Sequence, residues 1–279
     1  MALVRRLDHV ILCGRDLREW VPLIERVLAL KPARGLEGDD WGFSNAEFDV
    51  GDGFIGLVEP AGADSQLHRF LARFPEGFYG VSVDVGDVSS AGAFLRARGV
   101  PFREAMRDGQ VSQLWLAPAT TGGLLYQLTG PLPQVQGANP EYLGISRVVA
   151  LVEDLEQSVA VYRQCFGLEA GPSWHDDRLG GRGVELPIPG SALGDSIVLM
   201  VPAGAGPAAA LLAARGPGLL EFTIEVRSLE VEVRRLQEAG VGVGAAVEGA
   251  ADPPARAWID PDALRGVRVE LRQASVAHP

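Results

Sequence analysis

Short apolar runs alternate with amphipathic stretches along the chain, and one arrangement of the two occurs four times. The copies are His9-VILCGR-Asp16, Gly80-VSVDVG-Asp87, Arg147-VVALVE-Asp154 and Glu221-FTIEVR-Ser228, the last residue of each standing seven positions after the first. The apolar run predicts a strand. The Asp or Ser that closes it predicts a helix start, because a short oxygen side chain there accepts bonds from free backbone N–H groups. Apolar residues then recur at helical spacing, as in Trp20, Leu23, Ile24, Val27 and Leu28, and in Val159, Tyr162 and Phe166. Gly99, Gly167 and Gly240 stand where a left-handed residue would close a helix. Alternating or continuous apolar runs predict further strands at Gly42 to Val50, Gly53 to Glu59, Gln110 to Ala117, Leu124 to Thr129, Ser196 to Pro202 and Val267 to Arg272.

Each unit is therefore a strand, a helix and about three strands, and four such units make an α+β chain. Two units pair into one domain, because a lone unit leaves its sheet half covered. The Pro- and Gly-rich stretch Gly130 to Gly144 separates the pairs, giving a domain over 1–132, a linker over 133–144 and a domain over 145–279. The length of 279 residues agrees with two domains of about 140 residues each.

Composition narrows the partners. Apolar runs such as Ala208 to Ala214 fall short of the ~18 to 20 residues a membrane span needs. The opening MALVRRLDHVIL lacks a secretory cleavage site. Cys13 and Cys165 are too few and too far apart for a disulfide framework or a CxxC metal site, so a reducing cytoplasm is expected. A net charge of −11 disfavours nucleic acid and anionic membrane, which require clustered Lys and Arg. A small-molecule ligand or substrate remains, bound by a monomer or a homodimer.

LDHVILCGRDL and ISRVVALVEDLEQSVAVYRQCFGLE resemble the opening strand–helix units of the vicinal oxygen chelate superfamily, which includes glyoxalase I, bleomycin-resistance proteins, methylmalonyl-CoA epimerase and extradiol dioxygenases. IGLVEPAGADSQLHRFLARFPEGFYGVSVDVGDV is similar to the epimerase-like branch, where this segment joins two strands through a short helix. The resemblance covers residues 5–132 and 145–272. It implies four βαβββ modules, two per domain, each pair curling a mixed sheet around a cavity with helices outside.

The resemblance also implies a divalent metal held by His, Glu or Gln from four equivalent strands. The four positions fall on His9, Gly56, Gly80 and Gln127 in the first domain, and on Arg147, Val198, Glu221 and Glu270 in the second. Glycine offers no side-chain donor, so only His9 and Gln127 could hold a metal in the first site. A guanidinium is permanently protonated and cannot coordinate a cation. No cofactor is therefore expected, a divalent metal being conceivable only with an incomplete ligand set. In the second domain Arg147 is expected to close the vacated position as an ion pair with Glu221 and Glu270, leaving a degenerate site.

His9 is either a core histidine or a general acid–base in a cavity widened by Gly56 and Gly80, with Gln127 orienting the substrate. Glu47 and Asp49 alternate with Phe48 on a predicted strand, and are candidate bases if that face points inward. Strand alternation turns Tyr79 and Tyr126 away from the cavity. About 13 Å of extended strand separates Cys13 from His9. His175 with Asp176 and Asp177 reads as a solvated loop, His68 as a surface helix position and His278 as a tail. Two functions follow: a lyase- or isomerase-type enzyme working from His9 and Gln127, or a protein that sequesters a small ligand. Extradiol dioxygenase chemistry is disfavoured, because Arg147 and Glu221 stand where it needs two imidazoles.

Overall fold

A computed structural model of the chain describes residues 2–36, 42–131, 139–244 and 255–275. The first module comprises β1 (Arg6–Cys13), α1 (Leu17–Leu28), β2 (Arg34–Leu36), β3 (Phe43–Asp49) and β4 (Phe54–Pro60). A short helix, α2 (Gln66–Arg73), leads to β5 (Gly77–Asp84), α3 (Val88–Ala97), β6 (Arg103–Arg107), β7 (Gln110–Leu116), α4 (Pro118–Thr121) and β8 (Leu125–Thr129). The third module holds β9 (Tyr142–Leu151), α5 (Leu155–Phe166), β10 (Ser173–Asp176), β11 (Gly181–Pro187) and β12 (Ser196–Pro202). Helix α6 (Pro207–Arg215) leads to β13 (Gly218–Val226), α7 (Leu229–Glu238), β14 (Arg256–Ile259), a 3-10 turn (Pro261–Leu264) and β15 (Val269–Gln273).

The strands form two curled mixed sheets with helices outside them, an α+β fold. Their orders are β2-β3-β4-β1-β5-β8-β7-β6 and β10-β11-β12-β9-β13-β15-β14. Each order is nearly its own mirror about the central pair, as expected when two like modules meet through their first strands. The repeat that predicts the helix starts does so for a local reason. Asp16, Asp87, Asp154 and Ser228 all have extended backbone and accept a bond from an N–H two or three residues on, at 2.8, 2.7, 2.9 and 3.3 Å. Gly167 closes α5 in the left-handed region, and Gly99 and Gly240 follow the caps of α3 and α7 in the same conformation.

The chain condenses into two compact units, each drawing on both sheets. One takes residues 1–9, 79–133 and 147–220, and the other takes 10–78, 134–146 and 221–279. In the first unit, Tyr126 of β8 packs against Tyr162 and Phe166 of α5, with ring centroids 5.8 and 4.9 Å apart. That places it on the face of β8 opposite Gln127, as strand alternation requires. The loop before β12 reaches the start of β1, where Asp195 Oδ2 accepts the Leu7 N–H at 2.7 Å.

The second unit has a comparable contact. The β3–β4 turn meets the lead into β9, and Asp52 N–H donates to Leu143 O at 2.7 Å. Gly51 makes this approach possible: its φ is +80°, and a Cβ there would lie 2.4 Å from the Leu143 carbonyl. Arg235 of α7 and Asn139 bond the carbonyls of Val27 and Leu28 at the end of α1, at 2.6 and 3.4 Å. The expected linker over 133–144 is thus shorter, because Asn139 is already buried and β9 begins at Tyr142. Residues 133–138 of it, and His278, lie outside the described residues. Among the described residues no helix is long and apolar enough to cross a membrane.

Candidate functional site

In the first unit, Gly80, Ser82 and Asp84 share one face of β5. The parallel register to β8 places Leu125 beside Gly80, Gln127 beside Ser82 and Thr129 beside Asp84. Strand β7 then puts Trp115 opposite Gln127. Ser82 and Gln127 are both buried, and neither Ser82 Oγ nor Gln127 Oε1 has a hydrogen-bond partner among the described residues. Two such atoms side by side are costly, about 1–3 kcal/mol each, unless something outside the fold meets them. The half-buried indole of Trp115 flanks the pair.

His9 lies on β1, the neighbour of β5, and is 6 % exposed. Arg5 N–H donates to Asp84 O at 2.8 Å, so the start of β1 meets the end of β5. The imidazole Nδ1 sits 2.7 Å from Asp8 Oδ2, and Arg6 Nη2 holds the other carboxylate oxygen at 2.6 Å. Neither Asp8 nor Arg6 stood out in the sequence. Gly80, expected to widen a cavity, sits tightly against β8. A Cβ there would meet Leu125 O at 3.0 Å and Leu125 Cβ at 3.3 Å, so Leu125 already fills the room. Gly80 serves close strand approach.

The equivalent strands of the third module are also in this unit. Arg147 lies level with Ser196 on β12, and its guanidinium carbon is 5.1 Å from the Trp174 ring centroid. Val198, the second ligand position, belongs to a buried apolar cluster with Val149, Leu151, Leu179, Met200, Ala208 and Leu220. Side chains of the protein itself fill this face.

In the second unit, Gly56 and Glu47 are brought together as direct partners on β4 and β3, and Asn45 Nδ2 donates to Glu47 Oε1 at 3.4 Å. The same register recurs on β11 and β12, where Glu185 faces Val198 and accepts from Ser196 Oγ at 2.6 Å. Asp49 is buried on the same face of β3 as Glu47.

The face of β13 and β15 pairs Thr223 with Glu270, the equivalents of Ser82 and Gln127, and β14 adds Trp258 opposite Glu270, the equivalent of Trp115. Here Thr223 and Glu270 do bond, while Glu270 Oε1 and Arg256 Nε are an ion pair without a hydrogen bond among the described residues. Thr223 Oγ1 donates to Glu270 Oε2 at 3.0 Å, and Arg256 Nε lies 3.3 Å from Glu270 Oε1, within ion-pair reach. The cation of Glu270 thus comes from β14, a source the sequence reading overlooked. Glu221 is buried on the same face as Thr223 and Glu225. Glu225 is bonded to Arg272 and, at 2.6 Å, to Ser146 Oγ. Burial raises its carboxyl above the usual range, against the pull of Arg272 and Ser146, while the Glu270 charge adds to the rise.

The remaining histidines carry no site. His175 lies on β10, an exposed edge strand and not the expected loop. His68 is exposed on α2, its Nε2 3.0 Å from Gly62 O. Cys13 is buried, and desolvation followed by the Glu76 charge pushes its thiol up to about 12, which leaves it a poor nucleophile. Among the described residues no three His, Cys, Asp or Glu side chains are grouped to hold a metal ion. A Gly-Gly-Gln-His set and an Arg-Val-Glu-Glu set do not fit one.

Together these features define a tandem βαβββ protein in which Ser82 and Gln127 on one sheet face do not bond each other, while their equivalents Thr223 and Glu270 do. The chain is similar in structure, across 99 % of its length, to a variant of 4-hydroxymandelate synthase from Streptomyces coelicolor, with a TM-score of 0.78 at 17 % identity over 94 % of that chain. A halotolerant catechol dioxygenase, BphC, gives a TM-score of 0.67 at 16 % identity, covering 99 % of this chain and 89 % of that one. Methylmalonyl-CoA epimerase from Mycobacterium tuberculosis is 30 % identical over 48 % of this chain and 89 % of its own, with a TM-score of 0.43. No protein-family model and no curated protein sequence matches the chain. These likenesses show the fold, two tandem pairs of βαβββ modules.

Proposed function

We propose that the chain acts on a small organic molecule held against Ser82, Gln127 and Trp115, as a lyase- or isomerase-type enzyme that works without a resident metal. The observation that carries this is the contrast at equivalent positions: among the described residues Ser82 Oγ and Gln127 Oε1 are buried with no hydrogen bond, whereas Thr223 Oγ1 bonds Glu270 Oε2 and Glu270 Oε1, itself without a hydrogen bond, has Arg256 as an ion-pair partner. A substrate with a carbonyl and a neighbouring hydroxyl suits the pair. The Ser82 hydroxyl donates to the carbonyl oxygen, and Gln127 Oε1 accepts from the hydroxyl. His9 then takes the proton from the carbon beside the carbonyl. The electron pair moves onto the oxygen held by Ser82, and the proton returns either at the same carbon, or at the adjacent one while the substrate hydroxyl passes its own proton to that oxygen and becomes the new carbonyl. The indole of Trp115 covers the apolar part of the ligand.

The test is a thermal-shift and turnover screen of the full-length protein against aldehydes, α-keto acids and thioesters. Gln127→Leu is expected to weaken binding of a hit at least ~10-fold, since a buried hydrogen bond is lost and a ligand donor is stranded. Thr223→Val is expected to leave binding unchanged. His9→Gln should keep binding and lose turnover. Binding without any conversion by the parent protein would assign the chain to sequestration instead. A hit indifferent to Gln127→Leu would remove the site from the first unit altogether.

A further inference from the structure

We infer that Asp8, braced by Arg6, is a positioning residue that fixes the ring of His9 and makes Nε2 the nitrogen that exchanges the proton, an inference resting on the proposed role of His9. Successive residues of a strand point to opposite faces, so Asp8 can reach its neighbour's ring only near the backbone. The nitrogen found there is Nδ1, which is bonded directly to Cγ, while Nε2 lies at the far edge of the ring. The observed contact is the one this geometry allows, Asp8 Oδ2 to His9 Nδ1 at 2.7 Å.

A carboxylate that is 1 % exposed would be a poor anion alone. Arg6 supplies the countercharge: its Nη2 lies 2.6 Å from Asp8 Oδ1, and its Nη1 also donates to Leu7 O at 3.2 Å. Each oxygen of Asp8 therefore has its own donor, and the anion accepts the Nδ1 proton in a charge-assisted bond. With Nδ1 protonated, the lone pair of a neutral His9 is on Nε2. The arrangement belongs to the first module alone. The equivalent place before Arg147 holds Ser146, whose hydroxyl bonds Glu225 and Arg272.

The test is a long-range proton–nitrogen correlation spectrum of the ligand-free, nitrogen-15-labelled protein, with His9 assigned by comparison with His9→Gln. The wild-type ring is expected to carry its proton on Nδ1 with at least a ~10-fold excess over the other tautomer, from the strength of a charge-assisted bond. Asp8→Ala should abolish that excess, and Asp8→Asn, which keeps a neutral acceptor, should give an intermediate one. A wild-type ring protonated on Nε2, or an unchanged ratio in Asp8→Ala, would overturn the inference. If neither variant folds, the wild-type spectrum still decides. The tautomer is read without ligand, so a His9→Gln protein with normal turnover would remove the proposed function and leave this geometry standing.

Discussion

Replacing Glu232 with alanine is expected to cost the protein about 3 kcal/mol, the lower end of what removing one partner from a buried ion pair costs. Glu232 is fully buried on α7, and three donors converge on it. Tyr142 donates its hydroxyl to Oε1 at 2.5 Å, and Arg235 grips both oxygens at 2.6 and 2.9 Å. The same guanidinium continues to Val27 O at the end of α1, so it ties two helices together. Alanine would leave Arg235 charged and Tyr142 without its acceptor. Arg235 retains about a quarter of its side-chain surface in water, which is why the lower figure applies. Equilibrium urea unfolding measures the change. Tyr142→Phe should cost only about 1 kcal/mol, and adding Arg235→Met to Glu232→Ala should recover part of the loss. A Glu232→Ala protein as stable as its parent would mean the network is ornamental.

The second large effect is alkaline unfolding beginning near pH 9. Burial pushes the Cys13 thiol from 9.0 up to about 12, with the Glu76 charge adding to the rise, and pushes Cys165 from 9.0 up to about 11. Burial also raises Tyr126, Tyr142 and Tyr162 above the usual phenol value of 10.0. The sign follows from proton counting. These folded-state values lie above the unfolded ones, so the native chain keeps protons that the unfolded chain releases. The stabilisation is whole below pH 9 and is lost as pH rises, from 9 towards 11 for Cys165, from 9 towards 12 for Cys13 and above 10 for the tyrosines. By pH 11 Cys13 alone removes on the order of 2–3 kcal/mol. With Cys165 and the phenols added, the loss approaches the whole stability of an ordinary domain, roughly 5–15 kcal/mol. Urea midpoints at pH 8, 9.5 and 11 test this. A Cys13→Ala, Cys165→Ala protein should show a shallower decline, and a midpoint that does not fall between pH 8 and pH 11 would refute the linkage.

The architecture was legible because it depends on local chemistry repeated at fixed spacing. Asp16, Asp87, Asp154 and Ser228 each need only an N–H two or three residues away, so a spacing of seven from the strand is enough to find them. The short helix α2 and the faces of β5, β8, β12 and β15 follow from period and resemblance in the same way. What escaped is long-range or depends on side-chain reach. Arg256 answers Glu270 from a strand 14 residues earlier, and no periodicity names that pairing. Asp8 does not stand out, because neighbours on a strand face opposite ways, a rule about Cβ directions that a carboxylate can still bridge to Nδ1. Trp115 and Trp258 occupy equivalent places beside Gln127 and Glu270, visible as LWLAP and AWIDP once the last strands are aligned. Gly80 reads two ways in sequence, because glycine in a strand signals close approach as readily as open space; the position of Leu125 shows the close approach.

The central claim is that the two sheet faces have diverged, one presenting unmet polar groups to a small molecule and the other closed by its own carboxylate and arginine. A high-resolution crystal structure of the protein, grown with the best hit of the ligand screen, tests it most directly. Ligand oxygen or nitrogen atoms are expected within hydrogen-bond distance of Ser82 Oγ and Gln127 Oε1, with Thr223 bonded to Glu270 and Arg256 within ion-pair reach of Glu270. A ligand lodged instead against Thr223 and Glu270, or a metal ion coordinated by His9 and Gln127 or by Glu221 and Glu270, would contradict it.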